Sequence, residues 1–101
     1  MEKDRQPIPT IYILYKMELI MKPTLYIIGL DVASQKADVD IHDNADNELG
    51  QFQLHVSYNQ MNRTMNQIMA VVDKNNTIVV MEATGPYHRI FLYAFLNRGF
   101  Q

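Results

Sequence analysis

Apolar and polar residues follow four distinct rhythms along this chain. Leu25 to Leu30 runs without a charge into Asp31, and the polar turn Ala33-Ser34-Gln35-Lys36 follows. An uncharged run of strand formers bounded by turn residues predicts a strand buried on both faces, at the centre of a sheet. From Lys36 to His42 the pattern alternates strictly, with Ala37, Val39 and Ile41 on one side and Asp38, Asp40 and His42 on the other. That is the mark of a half-buried antiparallel strand. After the turn-rich "DNADNE", Leu49–Val56 reads as a third strand with Phe52, Leu54 and Val56 inward. The rhythm then becomes helical, with Met61, Met65, Ile68, Met69 and Val72 on one face. Thr77–Thr84, "TIVVMEAT", returns to the first pattern: a β-branched apolar run ending in Glu82, then the break Gly85-Pro86.

Punctuation residues support these boundaries. Ser57 with Gln60 has the spacing of a capping box, and Val56 with Met61 that of a hydrophobic staple. Asn75-Asn76 ends the first helix. A second starts after Gly85 with Pro86 in its first turn, and buries Tyr87, Ile90, Phe91, Ala94 and Phe95. Gly99 is placed as its C-terminal cap, with Phe100 just beyond to pack back on the helix. The methionine stripe is ordinary core packing in preference to an adaptable binding surface. The resulting order is β-β-β-α-β-α. A three-strand meander followed by a right-handed crossover to a strand beside the first predicts an α/β mixed sheet in the order 3-2-1-4.

Two acidic residues stand out against this pattern. Asp31 and Glu82 each end an apolar strand. Taken singly, each is explained as a strand-end acid that has reached solvent and caps a turn. As neighbours on parallel strands they emerge at one sheet edge, where open α/β sheets bind ligands. Paired carboxylates there are a candidate site for magnesium or manganese, whose oxygen preference suits phosphoryl transfer.

Composition narrows the remaining choices. The chain has 101 residues, enough for one small domain, and its 48% hydrophobic and 20% charged residues are those of a globular protein. No cysteine is present, so neither disulfides nor thiolate metal sites form. No uncharged apolar run approaches the roughly 20 residues of a membrane span. A net charge of −2 gives no basic patch for autonomous nucleic-acid binding. Asp38, Asp40, Asn44 and Asp46 do not form a calcium loop, because Asp43 and Leu49 stand where glycine and glutamate are needed. His42, His55 and His88 lack metal-ligand spacing and read as surface or boundary residues. Residues 1–20 are proline-broken and then apolar with Lys16 and Glu18 interrupting, unlike the rest. They are expected to be an extension that is not native, with Met21 the true start and 21–101 the domain.

The stretches "IIGLDVASQKADVDI" and "IVVMEATGPYHRIFLYAFLNRGF" resemble the N-terminal part of the DEDD transposases of the insertion-sequence one-ten family, relatives of the Piv-type invertases. The likeness spans about residues 25–100 and rests on the "GLDV" strand end and the "EATG" helix opening. It implies a ribonuclease H-like (RuvC-like) fold with four acidic residues that bind magnesium. Asp31 matches the first and Glu82 the second; the others would lie beyond Gln101, as would a C-terminal domain bearing a serine. The chain is thus expected to be part of a catalytic domain, cut before the fifth strand and inactive alone. The resemblance further implies DNA and a guide RNA as partners, a bacterial or archaeal cytoplasm, and Lys36 as a weak candidate for contacting phosphate. Two other readings remain open. Actin-like ATPases and sugar kinases also open on a "G-[IL]-D" strand, although their turn is glycine-rich where Val32–Lys36 has no glycine. A non-catalytic interaction module would pair with itself or with an intact transposase.

Overall fold

The computed structural model describes residues 24–82 and 85–101; the proposed extension at 1–20 lies outside them. Strands β1 (Tyr26–Val32), β2 (Lys36–Asp43) and β3 (Glu48–His55) are followed by helix α1 (Tyr58–Val71), a short 3-10 turn (Lys74–Asn76), strand β4 (Thr77–Met81) and helix α2 (His88–Leu96). The four-stranded sheet has the order β3-β2-β1-β4. β1 pairs antiparallel with β2 and parallel with β4. The fold is therefore α/β with a mixed sheet, in the strand order that the apolar pattern predicts.

Strand alternation divides the sheet into two unlike faces. Ile28 and Leu30 of β1, Ala37, Val39 and Ile41 of β2, and Leu54 of β3 are buried together with Met65 and Ile68 of α1 and Phe91, Ala94 and Phe95 of α2. Both helices thus feed one core on one side of the sheet. Val79 and Met81 of β4 pack on the same core. The expectation that β1 is buried on both faces is corrected here. Its second face carries Ile27, Gly29 and the exposed Asp31, and none of these joins the core. An uncharged run reports burial potential and cannot tell one covered face from two.

Local details refine the helix boundaries. Ser57 precedes α1, but its side chain makes no capping hydrogen bond. The sequence spacing of the capping box is present without its bond. The helix also stops at Val71, before Asn75-Asn76, because extended backbone at Val72 breaks it. Asp73 then caps the 3-10 turn by accepting the Asn75 N–H at 3.0 Å. Met65 and Ile68 are the fully buried members of the predicted stripe, with Met61, Met69 and Val72 packed at its edge.

Residues 85–87 form a turn and α2 begins only at His88. Tyr87 and Ile90 are exposed, against expectation, whereas Phe91, Ala94 and Phe95 are buried as expected. A helix that is apolar nearly all round contains no periodic signal for which side faces the core. Its C-terminus is closed by a Schellman motif: Phe100 N–H donates to Phe95 O at 3.2 Å and Gly99 N–H to Leu96 O at 3.1 Å. Gly99 sits at φ +93°, open to glycine and strained for other residues. The associated apolar contact is Phe100 edge-on to Phe95, with centroids 5.2 Å apart. Arg98 ties the end of α2 to α1, donating to Ala94 O and to Asn62 Oδ1.

Candidate metal site on the open sheet face

The hairpin between β1 and β2 fixes what stands beside Asp31. The Ala33 N–H donates to Lys36 O at 2.8 Å, closing the turn and setting the register. Asp31 therefore pairs with Asp38, and Gly29 with Asp40. The next ladder places Asp38 opposite Gln53 and Asp40 opposite Gln51. On the other side, Gly29 pairs with Val80 and Leu30 with Met81, so Asp31 and Glu82 are the next residues along neighbouring parallel strands.

These residues share one open concavity of about 680 Å³ on the sheet face opposite the helices. Asp31, Asp38, Asp40 and Glu82 line it with Gln51 and Gln53, and Gly29 and Val80 form part of its floor. Asp31 and Glu82 are both solvent-exposed. The structure brings together the two acids singled out by the sequence. Lys36 falls at the exposed start of β2, on the same strand face as Asp38 and Asp40, and is not among the residues that line the concavity. The turn offers little to a phosphate cradle, since the Ala33 N–H is already committed to Lys36 O.

Sequence reasoning set Asp38 and Asp40 aside as a solvated face and did not single out Gln51 or Gln53. Gln53 Nε2 donates to Asp38 Oδ1 at 3.1 Å, which holds that carboxylate in place beside Asp31. Asp40 Oδ2 lies 3.1 Å from His42 Nδ1, while Asp40 Oδ1 is shielded from solvent and has no hydrogen-bond partner among the described residues. The signal was available in the hairpin. A four-residue turn between Val32 and Ala37 fixes which β2 residue faces Asp31. His42 is half-buried beside the Asp40 carboxylate, a boundary residue as expected, and His88 Nδ1 meets Gly85 O at 2.8 Å outside the concavity.

The donor set is suited to a hard cation. Every charged or amide side chain that lines the concavity offers carboxylate or amide oxygen, and neither cysteine nor histidine lines it. Oxygen-only ligation suits magnesium or manganese and excludes a zinc-type thiolate or imidazole centre. Among the described residues no group of three or more acidic, histidine or cysteine side chains is close enough to hold an ion by itself. Magnesium commonly accepts one or two carboxylates and keeps several waters, so a pair is a sufficient anchor for partial ligation.

A transposase family model, that of the DEDD transposases of the insertion-sequence one-ten type, matches residues 28–101. The chain belongs to that family. The matched span of the DEDD transposase includes both Asp31 and Glu82 and all of the concavity's lining. No curated protein and no solved structure shows significant similarity to this chain. Among the described residues of the transposase chain, no helix is long and apolar enough to cross a membrane.

Proposed function

We propose that Asp31 and Glu82 together anchor a divalent cation, magnesium by its ligand preference, for phosphoryl transfer on DNA during transposition. The observation that carries this reading is the parallel register Leu30–Met81, which sets the two acids side by side at the mouth of one concavity. Such an ion, when bound, stabilises charge on the oxygens of the phosphodiester undergoing attack. The chain's own residues then have separable roles. Asp31 and Glu82 are the ligands. Gln53 holds Asp38 beside Asp31, and Lys36, at the start of the same strand face as Asp38, offsets the repulsion between an acidic face and a phosphate backbone. The absence of a side chain at Gly29 leaves the floor of the concavity flat, so that nucleic acid approaches the carboxylates closely.

The strand order β3-β2-β1-β4, with Asp31 in β1 and Glu82 directly after the parallel β4, supports a ribonuclease H-like (RuvC-like) reading of residues 21–101 as part of a catalytic domain. Two carboxylates supply part of an octahedral shell, and a two-ion displacement needs more ligands than that. The chain alone accordingly binds magnesium weakly and has no strand-transfer activity of its own. The guide RNA that the family resemblance implies is then a partner of the assembled enzyme.

The test is a recombination assay in a full-length relative carrying Asp→Asn or Glu→Gln at the positions matching Asp31 and Glu82, beside a magnesium-dependent plasmid cleavage assay on the purified chain. Each substitution is expected to abolish recombination while leaving the folded signal unchanged. Recombination persisting within about tenfold of the parent would overturn the assignment, since one lost metal ligand costs well over that factor. Cleavage by the purified chain that vanishes with Asp31→Asn would show instead that two carboxylates suffice.

A further inference from the structure

An amide and three carboxylates stand in one row across the open face of the sheet. Gln53 of β3 pairs with Asp38 of β2, and Asp38 pairs with Asp31 of β1. Glu82 completes the row, because it follows Met81, the partner of Leu30. Like charges directly opposite one another destabilise a sheet. The one ion pair among the described residues is Asp40 with His42, so no salt bridge there compensates Asp31 or Asp38. The core does not require Asp38 either, since β2 serves it through Ala37, Val39 and Ile41. The charge at the centre of the row is therefore unfavourable to the fold and unexplained by packing. The bond from Gln53 Nε2 to Asp38 Oδ1, at 3.1 Å, nevertheless holds this carboxylate in one orientation.

We propose that Gln53 and Asp38 are positioning residues for the divalent ion that Asp31 and Glu82 anchor. Gln53 fixes the Asp38 carboxylate through Oδ1, and the oxygen left over accepts hydrogen bonds from water that the ion retains. The inference rests on the shared-ion reading of Asp31 and Glu82 and extends that site across β2 to β3. Asp38 is not placed as a direct ligand, because no three acids among the described residues come close enough to hold an ion together. Magnesium bound by one or two carboxylates keeps several waters. Oriented outer partners of this kind change metal affinity by about tenfold or more. An amide suits the end of the row. It donates to Asp38 without adding a positive charge, whereas a lysine at position 53 would pair with Asp38 and cancel the charge that attracts the ion.

Manganese titration of the whole isotope-labelled chain, read by broadening of the Glu82 signals, tests these roles, with thermal unfolding of the metal-free chain as a second readout. Asp38 and Gln53 are both exposed, so neither variant removes core. Asp38→Asn is expected to raise the manganese midpoint about tenfold, yet to leave the metal-free chain as stable or more stable, because repulsion with Asp31 is removed. Gln53→Leu alters no charge and is expected to raise the midpoint about threefold, the worth of one modest hydrogen bond. In the Asp38→Asn background it is expected to add nothing, because Gln53 acts only through Asp38. A Gln53→Leu midpoint equal to the parent's, or additive effects of the two substitutions, would overturn the proposal. Asp31→Asn separates this failure from that of the shared ion. If it abolishes broadening at Glu82 while the Asp38 and Gln53 variants are silent, the positioning roles alone fall; if broadening persists, the shared-ion reading falls and these roles with it.

Discussion

Leu30 faces Met81 across the parallel β1–β4 ladder, and the residue that follows each of them is a carboxylate. Both Leu30 and Met81 pack on the core side, so alternation puts Asp31 and Glu82 on the open side. The acids are thus placed by the same period-two pattern that buries their neighbours. A one-residue slip of β4 would turn Glu82 into the core and separate the pair. Met81→Lys is accordingly expected to disturb the site and the fold together, whereas Val80→Lys, at a position 54% exposed on the open face, changes stability by less than about 0.5 kcal/mol. Denaturant unfolding of the two variants checks the contrast.

Gly29 offers a cleaner separation of fold from function. A Cβ built there finds its nearest neighbour, Asp40 O, at 3.9 Å, which is ordinary contact. Gly29→Ala should therefore leave stability unchanged or raise it by about 0.5–1 kcal/mol through reduced chain entropy. In a full-length relative the same change is expected to lower recombination, because the methyl group rises from the concavity floor between Asp40 and Val80. Thermal unfolding and recombination measured side by side read the two effects.

Gly99 predicts the opposite balance. Its φ of +93° and a nearest contact of 3.0 Å to Lys74 Nζ mean that Gly99→Ala strains the backbone while the flexible lysine end yields. The expected loss is about 1–3 kcal/mol. Because the Schellman bonds position Phe100 against Phe95, the variant should also lose the ring-current shift of the Phe95 protons, visible by NMR.

Asp43 supplies a pH dependence local to the β2–β3 turn. Its carboxylate accepts hydrogen bonds from the Asn47 side chain at 3.0 Å, the Asn47 N–H at 2.9 Å and the Ala45 N–H at 2.9 Å. The Asn47 side-chain bond is the largest cause of a pKa lowered below the ordinary aspartate value. A lowered folded value contributes stability that is fully present above the unfolded pKa and is lost as pH falls through the folded one. The turn should loosen below about pH 4, as read by amide exchange at Ala45 and Asn47, and Asp43→Asn should abolish that step.

Much of this architecture is legible in the residues. The Lys36–His42 alternation and the Met65/Ile68 stripe each carry a period that one structure satisfies, and Gly99-Phe100 carries its cap. The unread parts depend on information that no period contains. Tyr87 and Ile90 sit on a helix with too little polarity to show its orientation. Ser57 has the residue type of a cap, but the bond depends on the local torsions, which spacing does not specify. The company of Asp31 depends on hairpin register, and Asp38 and Gln53 enter only once the turn is counted.

Paramagnetic titration tests the shared ion most directly. Manganese added to the isotope-labelled chain should broaden the amide and side-chain signals of Asp31 and Glu82 together, with Asp38 next and with α2 unaffected. Asp31→Asn should remove the broadening at Glu82, and Glu82→Gln that at Asp31, because a single ion between two ligands is lost from both when either is changed. Broadening of one acid that survives neutralisation of the other would contradict a shared site.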